Sequence, residues 1–453
     1  MDTYDVVILG AGAAAKLIWG SVGDRSVAVV EWARVGGECP FVACVPSKAM
    51  LRSARVWQTA ADPQWAGLFS GRVPGADAYQ EAVRRRERIV HGRDDSTNAS
   101  ALAKTGATLL RGDGRVVRPG VVEVDGTEIG YRDLVLNTGS EPVWPQLPGL
   151  SAVPVWTSDQ AMSTSDHPRS AVVLGGGPVG CELAFLFATF GTAVTMVQRN
   201  RRLIPREEPE ASTALAEVLT GQGVRLHTAT QATRAEPHGT GARLLLDTGE
   251  RVEADVVVLA TGRRPRSAGL ELERLGIDLD PRGAVTVDER CRALGADHVW
   301  AVGDVTAVAP FTHTAHYQGR IVAANLRGRT VTADYRAVPH AVYVDPVLVS
   351  VGHTVASARA AGIEPLTTRT SMSQAVRSAT EGESTGWLML LADPDTRTVI
   401  GATALGGHAE EWISEVSLAI RAGVPVDVAA DVVHPFPTFS EILEIPLNEL
   451  AAR

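Results

Sequence analysis

The sequence predicts an α/β chain: two Rossmann-like dinucleotide-binding units followed by a smaller α+β unit. Three observations carry this prediction. The apolar run Val6-Val7-Ile8-Leu9 feeds the small-residue turn Gly10-Ala11-Gly12-Ala13-Ala14-Ala15, and a second run, Ser26 to Val30, ends on Glu31, 21 residues after Gly10. The pattern returns as Ala171-Val172-Val173-Leu174 leading into Gly175-Gly176-Gly177-Pro178-Val179-Gly180. Residues 337–453 alternate strand and helix patterns without a third copy. Short continuous apolar runs read as strands buried on both faces, and small residues after them let a backbone approach a pyrophosphate at a helix N-terminus.

In the first copy a helix is expected to begin at Lys16-Leu17-Ile18-Trp19, and Glu31 is placed to accept hydrogen bonds from an adenosine ribose. The next stretch, Gly36-Gly37-Glu38-Cys39-Pro40-Phe41-Val42-Ala43-Cys44-Val45-Pro46-Ser47-Lys48, holds two cysteines five apart. Residues five apart in a regular helix are separated by ~7.5 Å along its axis. A disulfide needs Cα atoms closer than ~7 Å, so a bonded pair excludes regular helix between them. Proline is best tolerated in a first helical turn. The helix therefore starts near Pro46 and runs to Arg55, with Cys44 at its N-terminus, where the dipole lowers a thiol pKa. Two buried core cysteines are the alternative reading.

Residues 76–105 read as helix, and short β segments follow at Thr108–Leu110, Val116-Val117 and Val121–Val124. Asp133 to Ser140 closes the first part, and Pro142, Pro145 and Pro148 mark a linker. In the second copy a helix begins at Glu182, and the next strand, Ala193–Val197, ends without an acid: Gln198-Arg199-Asn200-Arg201-Arg202 stands where Glu31 stood. An acid repels a 2′-phosphate and arginines bind one, so the second nucleotide is expected to be NADPH rather than NADH. Asp255 to Arg263 echoes residues 133–140, and Val299 to Asp304 is a further strand ending in Gly-Asp, followed by a helix from about Thr314 to Leu326. The remainder reads as strands at 341–344, 386–391 and 399–402 and helices at 354–362, 409–421 and 439–452.

Composition narrows the function. A net charge of −9 without a basic patch argues against nucleic acid. Four cysteines, Cys39, Cys44, Cys181 and Cys291, are too few for a secreted disulfide scaffold, and a lone close pair suits redox chemistry in a reducing compartment. The acidic N-terminus gives no signal peptide, and no apolar run approaches the ~20 residues of a membrane span. A cytoplasmic protein is expected, with no membrane partner. No His/Cys spacing suggests a metal site.

These elements in this order resemble the flavoprotein disulfide reductases of the glutathione reductase, lipoamide dehydrogenase and mercuric reductase group, over essentially the whole chain. The most specific item is Gly-Gly-x-Cys-x4-Cys-x-Pro-Ser-Lys after the first fingerprint; Phe311 to Arg320 and His340 to Gly352 match further segments. The resemblance implies an FAD domain of residues 1–148 and 270–335, an NAD(P)H domain of 149–269 and a dimerisation domain of 336–453, in a homodimer. It places FAD along Gly10, Gly12, Ala15, Glu31, Gly37, Gly139, Gly303, Asp304 and Ala315, with Lys48 near the flavin and paired to Glu182. NADPH lies along Gly175, Gly177, Gly180 and Gly262, with Arg199 and Arg201 for its 2′-phosphate. Electrons then pass from NADPH through FAD to a Cys39–Cys44 disulfide and on to a small sulfur-containing substrate. Cys44 is the thiolate beside the flavin and Cys39 the thiol that attacks substrate.

The chain departs from the group in four places. A histidine directly precedes Pro-Thr in disulfide-reducing members; here Phe436 holds that place, while Glu441, which orients the histidine, remains. His434 is either a substitute acid or a structural or dimer-interface residue. Pro178 stands where members often carry a gating tyrosine, and Pro40-Phe41 makes the entrance apolar. Leu447 to Arg453 has no cysteine, which disfavours mercuric reductase proper and the large thioredoxin reductases. Two other chemistries stay open: thioether cleavage as in ketopropyl-coenzyme M carboxylase, which also has phenylalanine in place of the histidine, and diaphorase or quinone reduction directly from FAD. A nucleotide-binding redox sensor is the non-enzymatic alternative.

Overall fold

A computed structural model describes residues 1–65, 68 and 77–453. They form two compact units: Met1–Ala49, Arg84–Val143 and Gly262–Tyr335 in the first; Met50–Val83, Trp144–Thr261 and Arg336–Arg453 in the second.

The first unit is built on a seven-stranded sheet. Its path runs Thr108–Arg111, Val27–Glu31, Thr3–Leu9, Thr127–Leu136, Val121–Val124, Gly114–Arg118, and Val299–Ala301 also pairs with Thr127–Leu136. The strands on the fingerprint side are parallel, with Val6 opposite Val27 and Asp133. Val6 and Ile8 enter one core cluster with Val27, Val29, Val135 and Val322; Val7 and Leu9 enter another with Ala28, Val30, Leu134 and Val305. Successive side chains of a strand point to opposite faces, so an uninterrupted apolar run marks a strand covered on both.

Two helices differ from expectation here. The helix expected from Lys16 is one 3-10 turn, Ala15–Leu17, followed by turns as far as Gly23, whose φ is +73°. Two glycines in the short stretch Trp19–Gly23 lower helix propensity, and too few residues remain before Val27 to propagate one. The helix expected over 76–105 is broken into Ala78–Ile89 and Ser96–Ala103, with residue 76 outside the described residues. Gly92 has φ +59°, and Asp94 is extended and accepts from the Ser96 N–H at the start of the second helix.

In the second unit a five-stranded parallel sheet runs Arg225–Thr228, Ala193–Gln198, Ser170–Leu174, Val256–Leu259, Val155–Thr157. A three-stranded antiparallel sheet spans Ala232–Ala254. A five-stranded antiparallel sheet runs His340–Val342, Val347–Gly352, Thr398–Gly406, Trp387–Asp393, Leu366–Ser371. One face of this last sheet packs Val349, Leu388, Leu390 and Ala402 under Trp412, Ile413, Val416 and Leu447. Its other face, with Leu348, Met389 and Leu391, shares a core with Phe185 and Phe187. The strand Leu366–Ser371 and the short helices Val376–Glu381 and Val426–Ala430 are absent from the sequence reading, and the expected helix 439–452 is a 3-10 turn, Phe439–Leu443, joined to Glu444–Ala451. Among the described residues no helix is long and apolar enough to cross a membrane.

Candidate active site

The first fingerprint closes through its own backbone. Gly10 has φ +97°, and a Cβ there would lie 2.3 Å from the Asn137 carbonyl oxygen, so only glycine fits. Asn137 Nδ2 donates to the Gly10 carbonyl at 2.9 Å. Buried Glu31 accepts from the Ala11 N–H (2.8 Å) and the Ala33 N–H (2.7 Å), which pins the turn to the end of the second strand. Each carboxylate oxygen keeps a further lone pair for a ribose hydroxyl. Asp304 follows Gly303 at the end of Val299–Ala301 and accepts from Ser140 Oγ at 2.6 Å; the Gly303 N–H donates to buried Gln318 Oε1. A Cβ on Gly139 would meet open space. Ala15 is buried in the 3-10 turn and Ala315 in the helix Thr312–Leu326. A bare glycine loop, a buried acid and an open Gly139 are what a dinucleotide's pyrophosphate and ribose require, so these residues fit FAD.

The dithiol stretch lies directly on this loop. The Gly36 N–H donates to the Ala11 carbonyl at 2.8 Å, and a Cβ on Gly37 would sit 2.9 Å from the Gly12 Cα. Residues 38–43 are turns, wound around the Glu38 carbonyl, which accepts from the N–H groups of Phe41, Val42 and Ala43. The helix Cys44–Ala61 begins on Cys44 itself, two residues before the expected start, with Pro46 inside its first turn. Both cysteines are thiols and half-buried. Cys39 hydrogen-bonds to Cys44, and Cys44 Sγ is 3.4 Å from Thr312 Oγ1. That hydrogen bond, burial and the Cys44 charge push the Cys39 thiol far above its ordinary range, against the pull of Thr312 and the Lys48 ammonium. Cys39 thus holds its proton more tightly than a free thiol does. Lys48 stands four residues after Cys44, on the same face of the helix.

A polar chain connects the stretch to Asp304. Arg263 donates to Glu38 at 2.5 Å and to Ser140 Oγ and carbonyl at 2.7 Å, and Ser140 donates to Asp304. The sequence reading missed Thr312, Ser140, Arg263 and Glu38 as a set. The only hint was a charged residue, Glu38, between Gly37 and the first cysteine, with an arginine run at 263–266 to answer it.

The second fingerprint repeats the first within its own unit. Gly175 has φ +110°, and a Cβ there would lie 2.2 Å from the Ala260 carbonyl oxygen. Gly175→Ala is expected to abolish reduction of the flavin by a reduced pyridine nucleotide while chemical reduction by dithionite survives, checked by anaerobic spectrophotometry. Gly177 caps the helix Pro178–Thr189 with open space beside it, and Gly180 packs its Cα against the Gly175 carbonyl. Arg199 and Arg201 are exposed just past the buried Gln198, at the end of the second strand. Gly262 belongs to the first unit's segment Gly262–Tyr335. Glu182 is buried in the Pro178–Thr189 helix and accepts from the Tyr343 N–H at 3.1 Å. Cys181 is fully buried, and Cys291 is buried with its sulfur 3.9 Å from the Tyr335 hydroxyl.

Near the C-terminus the candidates separate. His434 is clamped between two carboxylates: Nδ1 lies 3.0 Å from Glu444 and Nε2 3.1 Å from Glu415, and its side chain is 4% exposed. Glu441 accepts from the Val376 N–H at 2.6 Å, at the start of the helix Val376–Glu381. Phe436 is 75% exposed, beside Val432 and Val433.

Comparison with known proteins decides the family. The pyridine nucleotide-disulphide oxidoreductase family matches residues 4–319, and its dimerisation domain matches residues 338–445. The chain belongs to the pyridine nucleotide-disulphide oxidoreductases. It is 34% identical to a mercuric reductase of Streptomyces lividans over 98% of this chain and 95% of that one. It is 32% identical to a dihydrolipoyl dehydrogenase of Thermus scotoductus over 97% and 96% of the two chains. The HOCl-induced flavoprotein disulfide reductase RclA of Escherichia coli, solved as a Cu(II) complex, superposes with a TM-score of 0.88 over 98% of this chain and 99% of its own, at 27% identity. Members of this oxidoreductase family are enzymes that bind a flavin and a pyridine nucleotide, and this one carries the family's dimerisation domain.

Proposed function

We propose that this enzyme passes electrons from NADPH through FAD to the Cys39–Cys44 pair and on to a small sulfur-containing substrate, as a homodimer. The domains follow the family layout: residues 1–148 and 270–335 for FAD, 149–269 for NADPH, 336–453 for dimerisation. The observation that carries the reading is Cys44 at a helix start, hydrogen-bonded to Thr312 and Cys39, with Lys48 one turn on. A helix N-terminus and a lysine both favour a thiolate. The flavin, when bound, supplies two-electron transfer between the nicotinamide and this pair. In the reduced enzyme the Cys39 proton passes to the Cys44 thiolate as Cys39 attacks one sulfur of the substrate, and the second substrate sulfur leaves as a thiolate that takes up a proton from solvent; the proton now on Cys44 goes to the sulfur released in the next step. Cys44 then attacks Cys39, closes the Cys39–Cys44 disulfide and releases the first substrate sulfur as a second thiol.

Anaerobic titration with NADPH tests this reading. One equivalent is expected to raise a long-wavelength absorption band, and a sulfur substrate to discharge it; discharge by quinone alone would favour direct reduction from the flavin. Exposed Arg199 and Arg201 support NADPH as donor. Replacing either with alanine is expected to raise the KM for NADPH about tenfold, the worth of one charge-assisted hydrogen bond. The KM for NADH should barely move, and equal effects on both would refute the assignment.

A second reading is favoured by one observation. Phe436 occupies the histidine position, and the nearest histidine has both ring nitrogens taken by carboxylates. A site without an acid there spares a carbanion from protonation, so thioether cleavage by Cys39 is the alternative chemistry.

A further inference from the structure

Glu38 stands immediately before the first cysteine, and thiol exchange itself does not use it. On its N-terminal side the backbone is held weakly: Gly36 and Gly37 precede it at φ +120° and +71°, conformations that glycine enters freely. On its C-terminal side it is a hub, because its carbonyl accepts from the N–H groups of Phe41, Val42 and Ala43 in the turn that leads to Cys44. The place where the Glu38 side chain is fastened therefore decides where Cys39 is held.

That side chain is fastened to two arginines. One carboxylate oxygen accepts from Arg263 at 2.5 Å, and the other faces Arg266 at 3.6 Å. The Glu38 side chain is 33% exposed and each arginine side chain 29%, so water and salt screen the group less than they screen a pair on the open surface. The strand Arg263–Pro265 pairs antiparallel with Ser140–Pro142, Arg263 opposite Pro142 and Pro265 opposite Ser140. Arg266 follows this ribbon; its N–H donates to the Gly139 carbonyl at 2.9 Å, and its guanidinium lies 5.2 Å over the ring of Trp32, the residue after Glu31. Arg263 donates to Ser140 Oγ and to the Ser140 carbonyl, both at 2.7 Å, and Ser140 Oγ donates to Asp304 at 2.6 Å. One planar guanidinium thus spans the acid before Cys39 and the serine that holds Asp304. A fork of donors fixed in direction can do this, whereas a lysine ammonium is a single point of charge.

Closing a disulfide takes away freedom that two reduced thiols have, and a thiol already held in place has less to lose. We propose that Glu38 is a positioning residue for Cys39: gripped by Arg263 and Arg266, it keeps the thiol within closing distance of Cys44 and so sets the reduction potential of the pair, from the same guanidinium that orders Ser140 against Asp304. The proposal rests on the reading of Cys39 and Cys44 as a redox pair.

The test is a titration of FAD-loaded enzyme in dithiothreitol redox buffers, with free Cys39 and Cys44 labelled and counted by peptide mass. Glu38→Ala is expected to lower the equilibrium constant for closing the disulfide about tenfold, the worth of one charge-assisted hydrogen bond. That is a rise of about 30 mV in potential. Glu38→Gln, which keeps a hydrogen bond without the charge, should lie between Glu38→Ala and the parent. Arg263→Met should lower the constant at least as far as Glu38→Ala, and the double variant should fall no further than Arg263→Met alone, since both act through one contact. Flavin content should stay parental in Glu38→Ala. A parental potential in that variant overturns the proposal, as does full additivity in the double variant. Loss of flavin from Glu38→Ala also overturns it, by assigning the acid to the fold of the FAD site. If the parent enzyme forms no Cys39–Cys44 disulfide in any of the buffers, the dithiol reading fails, and the anchor with it.

Discussion

Cys44→Ser is expected to keep its flavin, lose the long-wavelength band that a reduced pyridine nucleotide is expected to raise in the parent enzyme, and reduce sulfur substrates on the order of 10³-fold more slowly or worse. The reason lies in how the pair shares its charge. Cys39 is driven to hold its proton by a hydrogen bond to Cys44, by burial and by the Cys44 charge. The proposed thiolate is Cys44, at the first residue of its helix, with Lys48 one turn further along. Serine does not ionise at neutral pH and cannot close a disulfide. Cys39→Ser should differ in kind: the band persists because Cys44 still ionises, while turnover of a sulfur substrate is lost to a similar degree. Stopped-flow absorbance with each variant separates the two. If Cys44→Ser reduced a quinone and a sulfur substrate at parental rates, electrons would leave from the flavin and the dithiol would be secondary.

What the sequence revealed and what it hid follow from how far apart interacting residues lie. The fingerprints are local: Gly10 and Gly175 each belong to a strand and a turn a few residues long, and the carbonyl that forbids a side chain at each comes from the neighbouring parallel strand. Apolar runs and glycine spacing were enough to place them. The dithiol was legible for the same reason. The failures are long-range or a matter of balance. Thr312 reaches Cys44 across 268 residues, and no local pattern announces a hydroxyl as a thiol's partner. The turn at Lys16 carries a helical fingerprint but lacks the residues to propagate it before Val27. Glu441 was legible as a retained acid, yet the group that occupies one of its oxygens, the Val376 N–H, comes from a helix of six residues too short to leave a periodic signal.

Glu441 is also the reason to expect a gain from Phe436→His. The variant should reduce a small aromatic disulfide roughly 10-fold to 100-fold faster than the parent, within the range that a positioned acid–base group contributes. Its rate should acquire a pH limb near ~6.5, the unperturbed value for histidine. Phe436 is 75% exposed in the chain, so the exchange removes little buried surface, and the fold should tolerate it. Glu441 spends one carboxylate oxygen on the Val376 N–H at 2.6 Å, which leaves its other oxygen to orient an imidazole five residues earlier. His434 cannot take over that task from its present place, because turning it toward a substrate would break its hydrogen bonds to both Glu415 and Glu444. Glu441→Gln in the Phe436→His background should therefore return most of the gain, whereas Glu441→Gln alone should cost only about 1 kcal/mol of stability, the usual worth of a helix cap. If Phe436→His brings no gain at any pH, proton supply does not limit this enzyme. The phenylalanine would then be a feature of its chemistry rather than a loss, as thioether cleavage with a protected carbanion requires.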